Sequence, residues 1–114
     1  MTREAPAISE YRGVWLMAMF DLPVDTKDAR REYARFRKSL ISNGFTMLQY
    51  SVYARYFHSE EASEPTRKAV ARSLPPDGQV RLVMITDRQF GKMELFIGKR
   101  RAEPEKAPEQ LMLF

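Results

Sequence analysis

The sequence predicts an α+β domain with the element order βαββαβ, and three observations carry that prediction. Val14-Trp15-Leu16-Met17-Ala18-Met19-Phe20 is an unbroken apolar run stopped by Asp21 and Pro23, the pattern of a strand covered on both faces. After it, Ala29, Tyr33, Phe36 and Leu40 recur at steps of four, three and four, which makes one apolar stripe on a helix. Beyond that helix the chain turns β-rich, then helical, then β-rich again.

The first twelve residues mix Ser, Pro and charges without a period and read as a flexible N-terminal arm, residues 1–12. Asp25 or Thr26 can cap the first helix, and Asn43-Gly44 suits a left-handed stop at its end. Residues 45–57, rich in aromatics, Val and Thr, read as a hairpin of two strands or one strand bent near Gln49 to Ser51. Ser59-Glu60-Glu61 and Glu64-Pro65 signal a second helix running through Val70 to Leu74, which Pro75-Pro76-Asp77-Gly78 must end. In the next strand Val80, Leu82 and Met84 share one face and Arg81, Val83 and Ile85 the other. With right-handed crossovers this order folds as a ferredoxin-like βαββαβ sandwich with both helices on one face of the sheet. Residues 86–91 then read as a single helical turn and 93–97 as an extra C-terminal strand. The domain is expected to span residues 13–98. Residues 99–114 are expected to be a linker and an apolar tail, Leu111-Met112-Leu113-Phe114, that docks on a partner.

A single domain of 114 residues buries a limited fraction of its surface, so association is expected. The doubly apolar first strand favours a homodimer packed through the sheet face that the helices leave open. The chain has no cysteine, no stretch of signal-peptide form, and no apolar run long enough for a bilayer, which together point to a cytoplasmic protein.

The net charge is +4, and 13 of the 19 basic residues are Arg, whose planar fork can hold a phosphate through two hydrogen bonds. At about 100° per residue, Lys27, Arg30, Arg31, Arg35 and Lys38 fall on the half of the first helix opposite its apolar stripe, with Arg37 at the edge. Only Asp28 and Glu32, at the margin between the faces, oppose those six cations. Arg67, Lys68 and Arg72 repeat the theme on the second helix. A solvated face is the plain alternative. So many cations with so few internal partners put phosphate contact ahead, with a duplex held by its backbone and without base readout. Aromatic stacking on an open sheet ranks lower, because the signature of the RNA-recognition motif is absent.

Asp21 directly follows seven apolar residues and therefore sits at the mouth of the sheet. Its carboxylate either accepts backbone N–H bonds in the turn through Leu22 and Pro23 or ligates a hard metal. A single carboxylate makes a poor Mg²⁺ site, but a symmetric dimer would bring a second Asp21 toward its axis, giving a shared Mg²⁺ able to act on a phosphodiester. The lone His58 has no second His near it, and Glu60, Glu61 and Glu64 look like helix-start acids. There is no glycine-rich phosphate loop and no nucleophile elbow.

Three stretches together resemble a known family: Met19-Phe20-Asp21-Leu22-Pro23-Val24-Asp25-Thr26, then Arg35-Phe36-Arg37-Lys38, then Gly44-Phe45-Thr46-Met47-Leu48-Gln49-Tyr50-Ser51-Val52-Tyr53. From about Trp15 to Ile97 the chain is similar to the CRISPR-associated protein Two family, and Thr86-Asp87-Arg88-Gln89-Phe90 looks like its type II form. The resemblance implies a ferredoxin-like homodimer whose C-terminal strand crosses to the partner's sheet. It implies a small subunit of spacer acquisition that binds double-stranded DNA protospacer and bridges dimers of the CRISPR integrase. It also implies a metal-dependent endonuclease acting on RNA or DNA, with the strand-one acid, here Asp21, as metal ligand and catalytic residue. The scaffold role is carried further by the resemblance than the catalytic one. A stand-alone metal-dependent ribonuclease or toxin of related fold is the alternative, and for residues 111–114 the resemblance implies integrase contact or added dimer pairing.

Overall fold

The computed structural model describes residues 13–108, and its first strand, β1 (Val14–Asp21), lies inside the sheet with antiparallel partners on both sides. On one edge it pairs with β3 (Val52–Phe57), from Val14 opposite Phe57 to Met19 opposite Val52. On the other it pairs with β4 (Gln79–Thr86), from Val14 opposite Thr86 to Asp21 opposite Gln79. With β2 (Thr46–Gln49) outside β3, the order is β2-β3-β1-β4, the ferredoxin-like arrangement that the element order predicts. The expected residues 1–12 arm and the 111–114 tail lie outside the described residues.

The local signals act as their chemistry dictates. Thr26, of the two possible caps, accepts from the Ala29 N–H at 3.0 Å and starts α1 (Lys27–Ser42). Gly44, at φ +87°, ends its turn in the left-handed region. Residues 45–57 form the hairpin rather than the single bent strand: Tyr50 and Ser51 make the turn, and the register shifts between Met47 and Gln49. α2 (Glu64–Arg72) carries Pro65 in its first turn after one 3₁₀ turn, Glu61–Ser63. Thr86 caps α3 (Asp87–Gly91) reciprocally with Gln89.

The C-terminal part departs from the expected pattern. The extra strand is shorter, β5 (Leu95–Ile97), because the Met93 N–H is still bonded to the Phe90 carbonyl at the end of α3. It pairs with β6 (Arg100–Ala102), which falls in the stretch expected to be linker. Gly98, at φ +64°, provides the tight turn that brings Arg100 back opposite Ile97. Composition concealed this strand, since Lys99, Arg100 and Arg101 show no apolar alternation.

Both faces of β1 are used, for different purposes. Leu16, Ala18 and Phe20 pack beneath the helices with Phe36, Leu40, Tyr53 and Val70. On the other face Trp15 stacks on Phe90, with centroids 4.1 Å apart and planes 11° apart, and its indole N–H donates to Asp87 Oδ1 at 2.7 Å. Ala54 completes that second cluster, and Met93 and Ala107 pack against it. The chain thus covers its own open face at the Trp15 end. Toward Asp21 the cover thins: Met17 and Met19 are half-buried and Val83 is exposed. No helix among the described residues is long and apolar enough to cross a membrane.

Gly78 fixes the Asp21 end. It has φ +93°, and a Cβ there would lie 2.7 Å from the Asp21 carbonyl oxygen and 2.7 Å from Leu22 Cδ2. Gly78→Ala is therefore expected to destabilise the protein by more than about 1 kcal/mol, read as a lower urea midpoint with an unchanged m-value. An unaltered midpoint would show that the strand end tolerates the methyl group.

Candidate functional site

Asp21 closes β1, and strand alternation puts its side chain on the open face with Trp15, Met17 and Met19. Gln79 stands directly opposite it, and Arg81, opposite Met19, lies one step along the same face. The guanidinium of Arg81 leans on Gln79 Oε1 at 3.5 Å. These residues, with Met19 and Phe20, line a shallow depression. The Asp21 carboxylate is exposed and, among the described residues, has neither a hydrogen bond nor an ion pair, so the turn-capping alternative is not formed. The backbone beside it is held firmly: the Phe20 N–H donates to the Ser51 carbonyl at 3.1 Å, and Leu22 is buried.

A metal would find one carboxylate here. Among the described residues no group of three or more His, Cys, Asp or Glu side chains comes together, and one acid with a neighbouring amide and cation is too little for Mg²⁺ within one chain. Neither Tyr33 nor Tyr56 compensates as a nucleophile. Burial raises the pKa of Tyr33, and burial followed by the nearby Asp87 charge raises that of Tyr56, so both stay protonated near neutral pH. His58 is exposed.

The basic residues divide into engaged and unengaged groups. Arg31 pairs with Asp28 at 3.0 Å, and Arg35 pairs with Glu32 at 2.9 Å while donating to the carbonyls of Ser73 and Leu74 at 3.1 and 3.4 Å. Arg30 donates to the Val24 carbonyl at 3.0 Å, Lys68 pairs with Glu64 at 3.5 Å, and Arg67 reaches Ser63 Oγ at 3.3 Å. Lys27, Arg37, Lys38 and Arg72 are exposed and have no ion pair among the described residues. The two acids that helical periodicity puts at the margin of α1 thus engage two of its six cations. Arg35 in particular ties α1 to the end of α2.

The sheet separates the two sets of candidate residues. Asp21 faces the open side, whereas α1 and α2 cover the other, so one protomer does not gather acid and cations into one pocket. Arg81 was not singled out by its residue type. Its alternation with Val83 and Ile85 is the signal that places it on the Asp21 face.

The family model described as CRISPR associated protein Cas2 matches residues 14–93, which contain all four strands of the sheet, both long helices and Asp21. The chain belongs to the Cas2 family. It is 50% identical over 101 residues to the "CRISPR-associated endoribonuclease Cas2" of Parvibaculum lavamentivorans, covering 89% of this chain and 100% of that one. Proteins of the same name from Flavobacterium psychrophilum and Ligilactobacillus salivarius are 43% and 40% identical. Those alignments cover 94% and 86% of this chain and 93% and 97% of the relatives. This Cas2-family chain is thus a CRISPR-system protein, and its ferredoxin-like fold is that of the family expected from the Phe20-Asp21 and Gln49-Tyr50-Ser51-Val52 motifs.

The division among the cations has a measurable consequence. Arg35→Ala removes hydrogen bonds that join two helices and should cost about 0.5–1.5 kcal/mol of stability, whereas Lys38→Ala should stay within about 0.5 kcal/mol. Denaturant titration of the two variants checks this, and equal losses would contradict a structural role for Arg35.

Proposed function

We propose that this Cas2-family chain works as a homodimeric, nucleic-acid-binding scaffold in the CRISPR adaptation complex, with a metal-dependent endonuclease site formed where two copies of Asp21 meet. The observation that carries the reading is the two-sided character of β1: one face is sealed by the helices, and the other opens progressively toward a carboxylate that has no partner among the described residues. Packing two open faces together would bury Met17, Met19 and Val83, bring the two Asp21 side chains toward one axis and leave α1 and α2 outward. Two carboxylates are what Mg²⁺ usually takes from a protein that leaves its other positions to water and phosphate. Bound there, the ion would polarise a phosphodiester and lower the pKa of a water ligand. The protein's own contribution is to hold two like charges at fixed strand ends, with Gln79 and Arg81 beside each to orient a phosphate.

Outward helices supply the second half of the function. Lys27, Arg37, Lys38 and Arg72 can contact successive phosphates of a protospacer duplex without first breaking an ion pair among the described residues. Arg30, Arg31, Arg67 and Lys68 would add to that field, and Arg35 would act chiefly by positioning the helix. Such contacts read no sequence, which suits a subunit that must accept any protospacer and present it to an integrase. The relatives' shared name, endoribonuclease, supports RNA as the substrate of the Asp21 site. The composition and the cysteine-free chain support a cytoplasmic setting.

Two experiments separate the roles. Replacing Lys27, Arg37 and Lys38 together by Ala should weaken binding to a DNA duplex and reduce the slope of log affinity against log salt by roughly 0.9 per lost phosphate contact. An unchanged slope would contradict the helical interface. Asp21→Asn should keep duplex affinity and the dimer while abolishing Mg²⁺-dependent cleavage of RNA, and equal cleavage by purified wild type and variant would overturn the catalytic assignment.

A further inference from the structure

Beside the Asp21 strand end, three aromatic rings lead from the core to solvent. Phe20, 8% exposed, meets Tyr33 edge-on at 5.9 Å, and Tyr33 stacks on Tyr50 with centroids 5.7 Å apart and planes 16° apart. Tyr50 is 71% exposed. This ladder is braced: the Tyr33 hydroxyl and Ser51 Oγ are hydrogen-bonded at 3.0 Å, and the Ser51 carbonyl accepts from the Phe20 N–H. Ser51 holds φ +64°, a conformation unusual for a residue other than glycine, and it sets the hairpin turn that presents Tyr50. A large ring held flat on one side and left open on the other, in a turn that needs no aromatic residue, calls for an occupant.

The charges around the ladder indicate which occupant. At about 100° per residue, Arg37 and Arg30 lie about 40° and 60° around α1 from Tyr33, on the side away from Glu32 and Asp28. That direction is fixed independently, because Arg35 and Glu32 on the far side meet the chain segment after α2, through the Ser73 and Leu74 carbonyls. The flank of α1 next to the β2–β3 hairpin therefore carries Arg30, Ala34, Arg37 and Ile41, two cations and no acid. Arg37 has no ion pair among the described residues, and Arg30 uses one of its five donors on Val24. An open aromatic face next to a helix flank that carries two arginines and no acid matches a nucleotide, with its base on the ring and its phosphates on the cations.

We propose that Tyr50 is a stacking platform for an unpaired base, with Arg30 and Arg37 holding the adjoining phosphates. The ligand class is a single-stranded overhang or a frayed duplex end, and Arg30 and Arg37, at the edge of the helical face assigned above to the duplex backbone, would hold the phosphates where paired strand passes into unpaired. The inference rests on the nucleic-acid-binding function proposed above, and adds to it that the protein distinguishes unpaired from paired ends. Stacking needs a π face and no particular base, so the platform would accept any sequence. It lies at the end of the sheet where Phe20 leads directly into Asp21, so a strand anchored on it would approach the acidic end of β1.

The test uses the full-length protein with two probes, a short blunt DNA duplex and the same duplex with an overhang whose first unpaired base is a fluorescent adenine analogue. Wild type should quench the analogue and bind the overhang probe more tightly than the blunt one. Tyr50→Ala should lose roughly 5- to 100-fold on the overhang probe and the quenching with it, while blunt-duplex affinity stays the same. Tyr50→Phe, which keeps the ring, should behave as wild type. Equal overhang binding and quenching by wild type and Tyr50→Ala would overturn the platform while leaving duplex binding intact. Equal loss on both probes, or dissociation of Tyr50→Ala into monomers in sedimentation, would also overturn it, the latter by assigning the ring to a second copy. A wild type that binds neither probe would refute the nucleic-acid reading and this inference together.

Discussion

The described fold is arranged around a strand that is paired along both edges and apolar on both faces. β1 is hydrogen-bonded along both edges, to β3 and β4, and its side chains alternate between two hydrophobic clusters. A strand so placed must be apolar at nearly every position, because an unpaired polar group in it would cost several kcal/mol in lost hydration. It must also end abruptly, and Asp21 is its first exposed residue. The sharp boundary has a covalent and conformational basis: Pro23 cannot donate to a continuing ladder, and Gly78, in the bend just before β4, lets the two backbones close on each other.

That central constraint also sorts charge. With both helices confined to one face, their polar halves must point away from the sheet, and the cations of α1 and α2 accumulate there. The opposite face cannot be left equally wet, because Trp15, Met17 and Met19 are the other half of the same apolar strand. The chain addresses this at one end with Phe90, Met93 and Ala107. At the Asp21 end it leaves the surface thinly covered, which is where the proposed dimer would add its second copy. The proposed scaffold and the proposed site would both be consequences of one strand: its helix-covered side sends basic residues outward, and its open side converges on an acid.

Much of this was legible in the sequence because it is local. The apolar run and its stop at Asp21, the 3.6-residue stripe of α1, its cap at Asp25 or Thr26 and the Pro75-Pro76 break each depend on a few consecutive residues. What was not legible depends on residues far apart in the chain. Arg35 looked like one more surface cation, but its guanidinium serves carbonyls 38 and 39 positions away. Nothing local in the sequence marks Arg55, yet it donates to the Asn43 carbonyl at 2.7 Å and to Thr66 Oγ1 at 3.2 Å, joining the end of α1 to α2. β6 was hidden because a two-stranded ribbon of exposed residues needs no apolar alternation. For the candidate site, the position of Asp21 followed from the strand boundary, while its lack of a hydrogen-bonding partner and the presence of Gln79 and Arg81 beside it required the register of β4.

The proposed function turns on whether the two Asp21 carboxylates share one ion. Isothermal titration of Mg²⁺ or Mn²⁺ into the full-length protein, with sedimentation on the same sample, measures this directly. The proposed site predicts one ion per two chains, bound by the dimer and lost in Asp21→Asn while the dimer persists. One ion per chain, or undiminished binding by Asp21→Asn, would contradict it.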